Sequence, residues 1–114
     1  MSEKDYRAFI QHMHAECEYI LSSAPSNLSF EKFMADETLK RAIVRSLEII
    51  GEASKKIPVD VKLKWNEIEW KSIAGMRDRL IHDYMGVNYT IVWDVVQNRI
   101  LQLHETTQRI LGQK

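Results

Sequence analysis

Residues 37–58 read ETLKRAIVRSLEIIGEASKKIP, and the spacing of their apolar side chains decides the fold class. Leu39, Ala42, Ile43, Leu47, Ile50, Ala53 and Ile57 recur every three or four positions, the period of an α-helix, so one stripe of the segment is apolar. The opposite stripe bears Arg41, Arg45, Glu48, Glu52 and Lys55. These charges are themselves three or four apart, and such pairs stabilise a helix by about 0.2–0.5 kcal/mol each, so a solvated row of ion pairs accounts for them without further chemistry. Pro58 closes the segment, because proline has no amide hydrogen to continue the ladder and its ring clashes with the preceding turn.

The same period extends in both directions. Upstream, Phe9, Met13, Cys17, Ile20 and Leu21 form a stripe that begins near Ser2, a candidate N-cap, and ends at Pro25. The loop PSNLS then leads to Ser29, whose hydroxyl can cap a short helix carrying Phe30, Phe33 and Met34, with a bend expected near Asp36. Downstream, residues 58–69 have mixed periodicity and suggest a short helical turn followed by a loop. A helix is expected from Trp70 to Tyr84, stopping at Gly86, and another from Asn88 or Thr90 through Ile91, Val92, Val95, Val96, Ile100, Leu103 and Ile110. Four principal helices with short connections predict an all-α, antiparallel four-helix-type bundle with short additional helical turns. At 114 residues the chain is expected to be one domain, 1–114, with a single modest core.

Apolar residues make up 45% of the chain and charged residues 28%, as in soluble globular proteins rather than disordered tails. Basic and acidic residues balance at 16 each, so no global positive field draws in a polyanion, and contact with nucleic acid must be local. A lone cysteine, Cys17, excludes an internal disulfide and a cysteine-built zinc site, which points to the cytoplasm. The opening MSEKDYRAFI lacks a cationic segment ahead of an apolar run, so no signal peptide is expected, and no stretch approaches the length of a membrane span.

One segment carries more chemistry than a surface helix requires. Residues 75–86, GMRDRLIHDYMG, bring Arg77, Asp78, Arg79, His82, Asp83 and Tyr84 together around Leu80 and Ile81. On a continuous helix Arg77 and Tyr84 fall within about 20° of one another, whereas His82 sits about 140° from Arg77 and within one turn of Asp78. Cleaving RNA with its own 2′-hydroxyl needs a base, an acid and positive charge for the phosphate between them. Imidazole serves as base or acid near neutrality and guanidinium is a permanent bidentate phosphate donor, so neither metal nor cofactor is needed. A symmetric dimer would bring two His82 and two Arg77 to one cleft. From spacing alone, a surface or capping histidine and an arginine paired with a glutamate of a neighbouring helix are the preferred explanation of the segment.

The chain resembles the HepT-like toxins of the HEPN superfamily. Arg77, four intervening residues, His82, one residue and Tyr84 match their motif, and RAIVRSLEIIGEASKKIP at 41–58, WKSIAGMRDRLIHDYMGV at 70–87 and IVWDVV at 91–96 look like that family. The resemblance implies a HEPN-like bundle and a homodimeric, metal-independent endoribonuclease, the toxin of a toxin–antitoxin pair, acting on transfer or messenger RNA. Arg77 and His82 would be the catalytic pair, with Asp78 in a supporting, orienting position. The implied partner is a minimal nucleotidyltransferase antitoxin that silences the toxin by transferring AMP to Tyr84. Arg45, Glu48 and Glu52 are further candidates for lining the cleft. The alternative is a non-catalytic helical module that docks a nucleotidyltransferase; a DNA-binding helical protein is disfavoured by the zero net charge. His12 and His14 point to opposite sides of a helix, His104 has no evident partner in sequence, and none of the three is assigned chemistry. Trp65, Trp70 and Trp93 are read as packing residues rather than stacking platforms for bases.

Overall fold

The structure is a computed structural model and describes residues 6–81 and 86–112. Among them are eight helices: α1 (Tyr6–Ser23), α2 (Phe30–Ala35), α3 (Glu37–Ser54), α4 (Val59–Lys64), α5 (Trp70–Ala74), α6 (Met76–Leu80), α7 (Tyr89–Asn98) and α8 (Ile100–Leu111). The expected all-helical, HEPN-like class holds.

The central element is α3, which packs against α1 on one side and α5 and α6 on the other. Because it has neighbours on both sides, its buried arc is wider than a single stripe and takes in Lys40, Ser46, Gly51 and Ser54 besides Ile43, Leu47 and Ile50. Gly51 marks the closest approach to α5: a β-carbon there would lie 3.1 Å from the Ile73 carbonyl oxygen. Buried polar groups along this arc have partners. Ser54 Oγ donates to the Gly51 carbonyl at 2.7 Å, and Lys40 meets Glu37 at 2.8 Å while its ammonium lies 4.6 Å from the centre of the Tyr89 ring. The lysine hydrogen bond and charge hold the Glu37 carboxyl below its usual range.

The other large contact is between α1 and α8. They run antiparallel: Arg7, at the start of α1, donates to the carbonyls of Ile110 (3.4 Å) and Leu111 (2.6 Å) at the end of α8, while His14 and Glu18 further along α1 meet Thr107 and His104. A guanidinium on the terminal carbonyls answers both their missing hydrogen bonds and the negative end of the helix dipole. Ile10, Met13, Cys17 and Ile20 of α1 are fully buried. The expected stripe is right in phase, except that Phe9 and Leu21 sit at its margin. The proposed cap at Ser2 lies outside the described residues.

Capping chemistry fixes several helix starts, at Ser29 as the sequence suggested and at Asp36 and Asn88, where it suggested a bend and a helix start. Ser29 Oγ accepts from the Lys32 amide at 3.1 Å, and Asp36 ends α2 and caps α3 by accepting from Leu39 at 2.9 Å. Asn88 caps α7 through the Ile91 amide at 3.2 Å. Two expected long helices are each divided. The segment from Trp70 breaks at Gly75, whose φ and ψ of −87° and 6° leave the helical region, and stops at Leu80. The last segment bends at Arg99 (φ −123°, ψ −32°), which lets α7 pack on α6 while α8 turns to lie along α1.

Each tryptophan has a packing role. Trp70 is buried and its indole donates to the Trp65 carbonyl at 3.0 Å; Trp93 lies tilted against Phe33, with centroids 5.1 Å apart; and Arg109 stacks over Trp65 at 5.6 Å. Among the described residues, no helix is long and apolar enough to cross a membrane.

Burial pushes the Cys17 thiol up to about 12 from its ordinary 9.0, with the neighbouring Glu16 charge adding to the effect. A folded-state pKa above the unfolded value means that the stability held by the neutral thiol is complete below pH 9 and is lost as pH rises toward 12. In that window the loss approaches about 1.4 kcal/mol per pH unit. Denaturant melts at pH 8 and pH 10 should therefore diverge more for the native sequence than for Cys17→Ala, and the folded thiol should resist Ellman's reagent at pH 8.

Candidate active site

Helix α6 is short, and two of its residues decide how it sits. Met76 and Leu80, one turn apart, are 2% and 0% exposed, which turns Arg77, Asp78 and Arg79 outward. The Arg77 side chain is about half exposed, and its Nε lies 3.5 Å from Glu48 Oε2 on α3. An ion pair this open contributes little to stability, so the guanidinium keeps its capacity for a phosphate. Arg79 turns the other way and donates from Nη1 to Ser72 Oγ at 2.9 Å. It borders a groove between α5–α6 and α7–α8 whose floor is Ile73, Met76, Val95 and Leu103. Arg99, bonded to Glu69 at 2.8 Å, stands at its far side.

The end of α6 corrects the expected geometry. Ile81 is extended, with φ −112° and ψ 117°, and forms an antiparallel bridge with Val87; the Asn88 amide then donates to the Leu80 carbonyl at 2.7 Å. Gly86 has a φ of 89°, so its left-handed backbone serves the return to Val87 rather than capping a long helix. The helix expected to run on to Tyr84 thus ends at Leu80, and the angles expected from Arg77 and Asp78 to His82 and Tyr84 fall on residues outside those described. Asp78 is exposed on α6. His82, Asp83, Tyr84 and Met85 lie outside the described residues.

Of the three further cleft candidates, Glu48 is brought to Arg77. Arg45 and Glu52 instead line a groove between α1 and α3, with Phe9 and His12 on its opposite wall, and Glu52 is bonded to Lys55 at 3.3 Å. The structure also supplies a partner that the sequence withheld. His104 stacks on His14, with centroids 4.4 Å apart, and both ring Nε2 atoms approach one oxygen of Glu18. That cluster joins residues from opposite ends of the chain, so no local spacing could have signalled it.

The geometry so far is an exposed arginine on the short helix that leads into the Ile81–Val87 bridge, and the sequence between the two bridge partners holds a histidine and a tyrosine. The family model described as "Ribonuclease HepT-like" matches residues 4–110. The chain belongs to the HepT-like ribonuclease family. Among its relatives is a candidate RNase of Caldanaerobacter subterraneus subsp. tengcongensis, 45% identical over 95% of this chain and 96% of the relative. A candidate RNase of Methanocaldococcus jannaschii is 40% identical over 88% and 82% of the two chains. The protein named "Probable ribonuclease HepT" of Thermococcus cleftensis is 42% identical over 90% and 89%. No solved structure matches the chain. In this HepT-like ribonuclease the buried Leu80 and the half-buried Asn88, joined by a backbone hydrogen bond, flank the stretch of sequence that holds the motif's histidine and tyrosine.

Proposed function

We propose that this HepT-like protein is the toxin of a toxin–antitoxin pair, a metal-independent endoribonuclease that works as a homodimer in the cytoplasm. The observation that carries the reading is the family match over residues 4–110, joined to the Arg77, His82 and Tyr84 motif. In the reaction, His82 of one protomer removes the proton from a ribose 2′-hydroxyl, whose oxygen attacks the adjacent phosphorus. The bond from phosphorus to the 5′-oxygen breaks, and His82 of the other protomer, protonated, supplies the leaving oxygen with its proton. A 2′,3′-cyclic phosphate and a 5′-hydroxyl result. Arg77 stabilises the charge that builds on the non-bridging oxygens, where a preorganised donor has its largest effect. Glu48 limits the positions that Arg77 visits, and Asp78 is the residue that orients the His82 imidazole.

Silencing follows the same chemistry. A minimal nucleotidyltransferase antitoxin would transfer AMP from ATP to the Tyr84 hydroxyl, releasing pyrophosphate and placing a phosphodiester where RNA should meet the guanidinium. Purified protein should cleave transfer or messenger RNA in EDTA and leave cyclic phosphate termini. Incubated with its nucleotidyltransferase and ATP, it should gain the mass of AMP, and Tyr84→Phe should not. RNA that stays intact at every protein concentration, alongside a stable complex with the partner, would favour a docking module instead.

A further inference from the structure

His14 and Glu18 stand one turn apart on α1, and His104 faces them from the antiparallel α8. One oxygen, Glu18 Oε1, lies 3.4 Å from His14 Nε2 and 3.3 Å from His104 Nε2, and the three groups offer ligand atoms within 4.8 Å of one another. The histidine side chains are 19% and 18% exposed, whereas that of Glu18 is 63% exposed, so the cluster is walled by protein and open to water at the carboxylate.

Thr107 favours a hydrogen on Nδ1 of His14. The single hydroxyl hydrogen of the threonine has two backbone acceptors in reach, the carbonyls of Leu103 (2.9 Å) and His104 (3.0 Å). With its proton committed there, Oγ1 can only accept from His14 Nδ1, 3.1 Å away. In the neutral ring the lone pair then resides on Nε2, directed at a carboxylate oxygen that is also an acceptor. Two acceptors at 3.4 Å repel unless a positive species joins them.

We propose that His14, Glu18 and His104 bind a divalent transition-metal ion of the zinc class, with the remaining position left to water. Two imidazoles and a carboxylate suit zinc, nickel or copper rather than magnesium or calcium. In a tetrahedral shell with bonds of about 2.0–2.1 Å, neighbouring ligand atoms are about 3.4 Å apart, which is the spacing of Glu18 from each ring. The hydrogen bond from Nδ1 to Thr107 is the outer contact that fixes a metal-binding histidine in its productive tautomer. The rings stack at 22°, so an ion in both ring planes is taken up with His104 tilting off His14. Such an ion clips the first helix to the last. This helix pair differs from the one that joins Arg77 to Glu48, and the inference does not rest on the proposed nuclease chemistry.

The test uses untagged full-length protein stripped with EDTA, then dialysed and titrated with zinc chloride. Calorimetry should give one ion per chain. At zinc 100-fold above Kd the melting temperature should rise by about 10 °C, and equal magnesium should leave it unchanged. His104→Gln should weaken zinc binding at least tenfold, Thr107→Val by about 10–100-fold, and His12→Gln not at all. Cobalt should give a visible d–d band that Glu18→Gln alters, a readout on an exposed residue that does not depend on how well His104→Gln folds. Equal zinc affinity in the His104 and Glu18 variants, or no saturable binding up to millimolar zinc, would overturn the site.

Discussion

Replacing His82 with alanine should lower RNA cleavage by about a thousandfold, while the melting temperature and the oligomeric state stay those of the native protein. The size follows from the number of proton transfers at stake. In a symmetric site each His82 does one of the two, so a single substitution in the chain removes both general base and general acid. Arg77→Ala should cost about a hundredfold or more, because a preorganised cation facing the developing charge is lost, and Arg77→Lys should recover part of it, since a point charge replaces a bidentate fork. If the groups act as a unit, the double variant should be little worse than His82→Ala alone. Initial-rate measurements on one defined RNA, in EDTA, decide all three. Cleavage that survives His82→Ala would remove the imidazole from the mechanism.

Leu80→Ala should destabilise the fold by about 3 kcal/mol, within the range for truncating a fully buried leucine, and denaturant melts should show it as a lower midpoint with an unchanged slope. Leu80 has no exposed surface, anchors α6 beneath Arg77, and lends its carbonyl to the Asn88 amide. Its loss should therefore reduce cleavage as well, in a way that added stabilising osmolyte partly restores, unlike the chemical defect of His82→Ala. Leu101→Ala, at a site 59% exposed, serves as the control and should change stability by no more than about 0.5 kcal/mol.

Much of this fold is written in local spacing. The apolar period of α3, the cap at Ser29, the bend near Asp36 and the helix start at Asn88 are each settled by neighbours within four residues and lie where the sequence puts them, whereas α3 ends at Ser54, short of Ile57, and Pro58 instead begins α4. Features that depend on partners distant in sequence are not written there. Gly75 and Arg99 interrupt stretches whose periodicity is unbroken, and past Arg99 the chain changes neighbours, α7 packing on α6 and α3 and α8 on α1. Ile81 leaves the helix to pair with Val87, a competition between local helix and local bridge that periodicity cannot weigh. At the candidate site, Arg77 and its glutamate were legible as residue types, and the choice of Glu48 over Glu52 had to come from how α6 crosses α3. His104 looked solitary because Glu18 is 86 positions away.

The bridge between Ile81 and Val87, with the amide of Asn88 on the carbonyl of Leu80, ties together the two backbone points on either side of residues 82–85. A segment inserted between two such adjacent moorings can vary in side chains without shifting the frame that holds it.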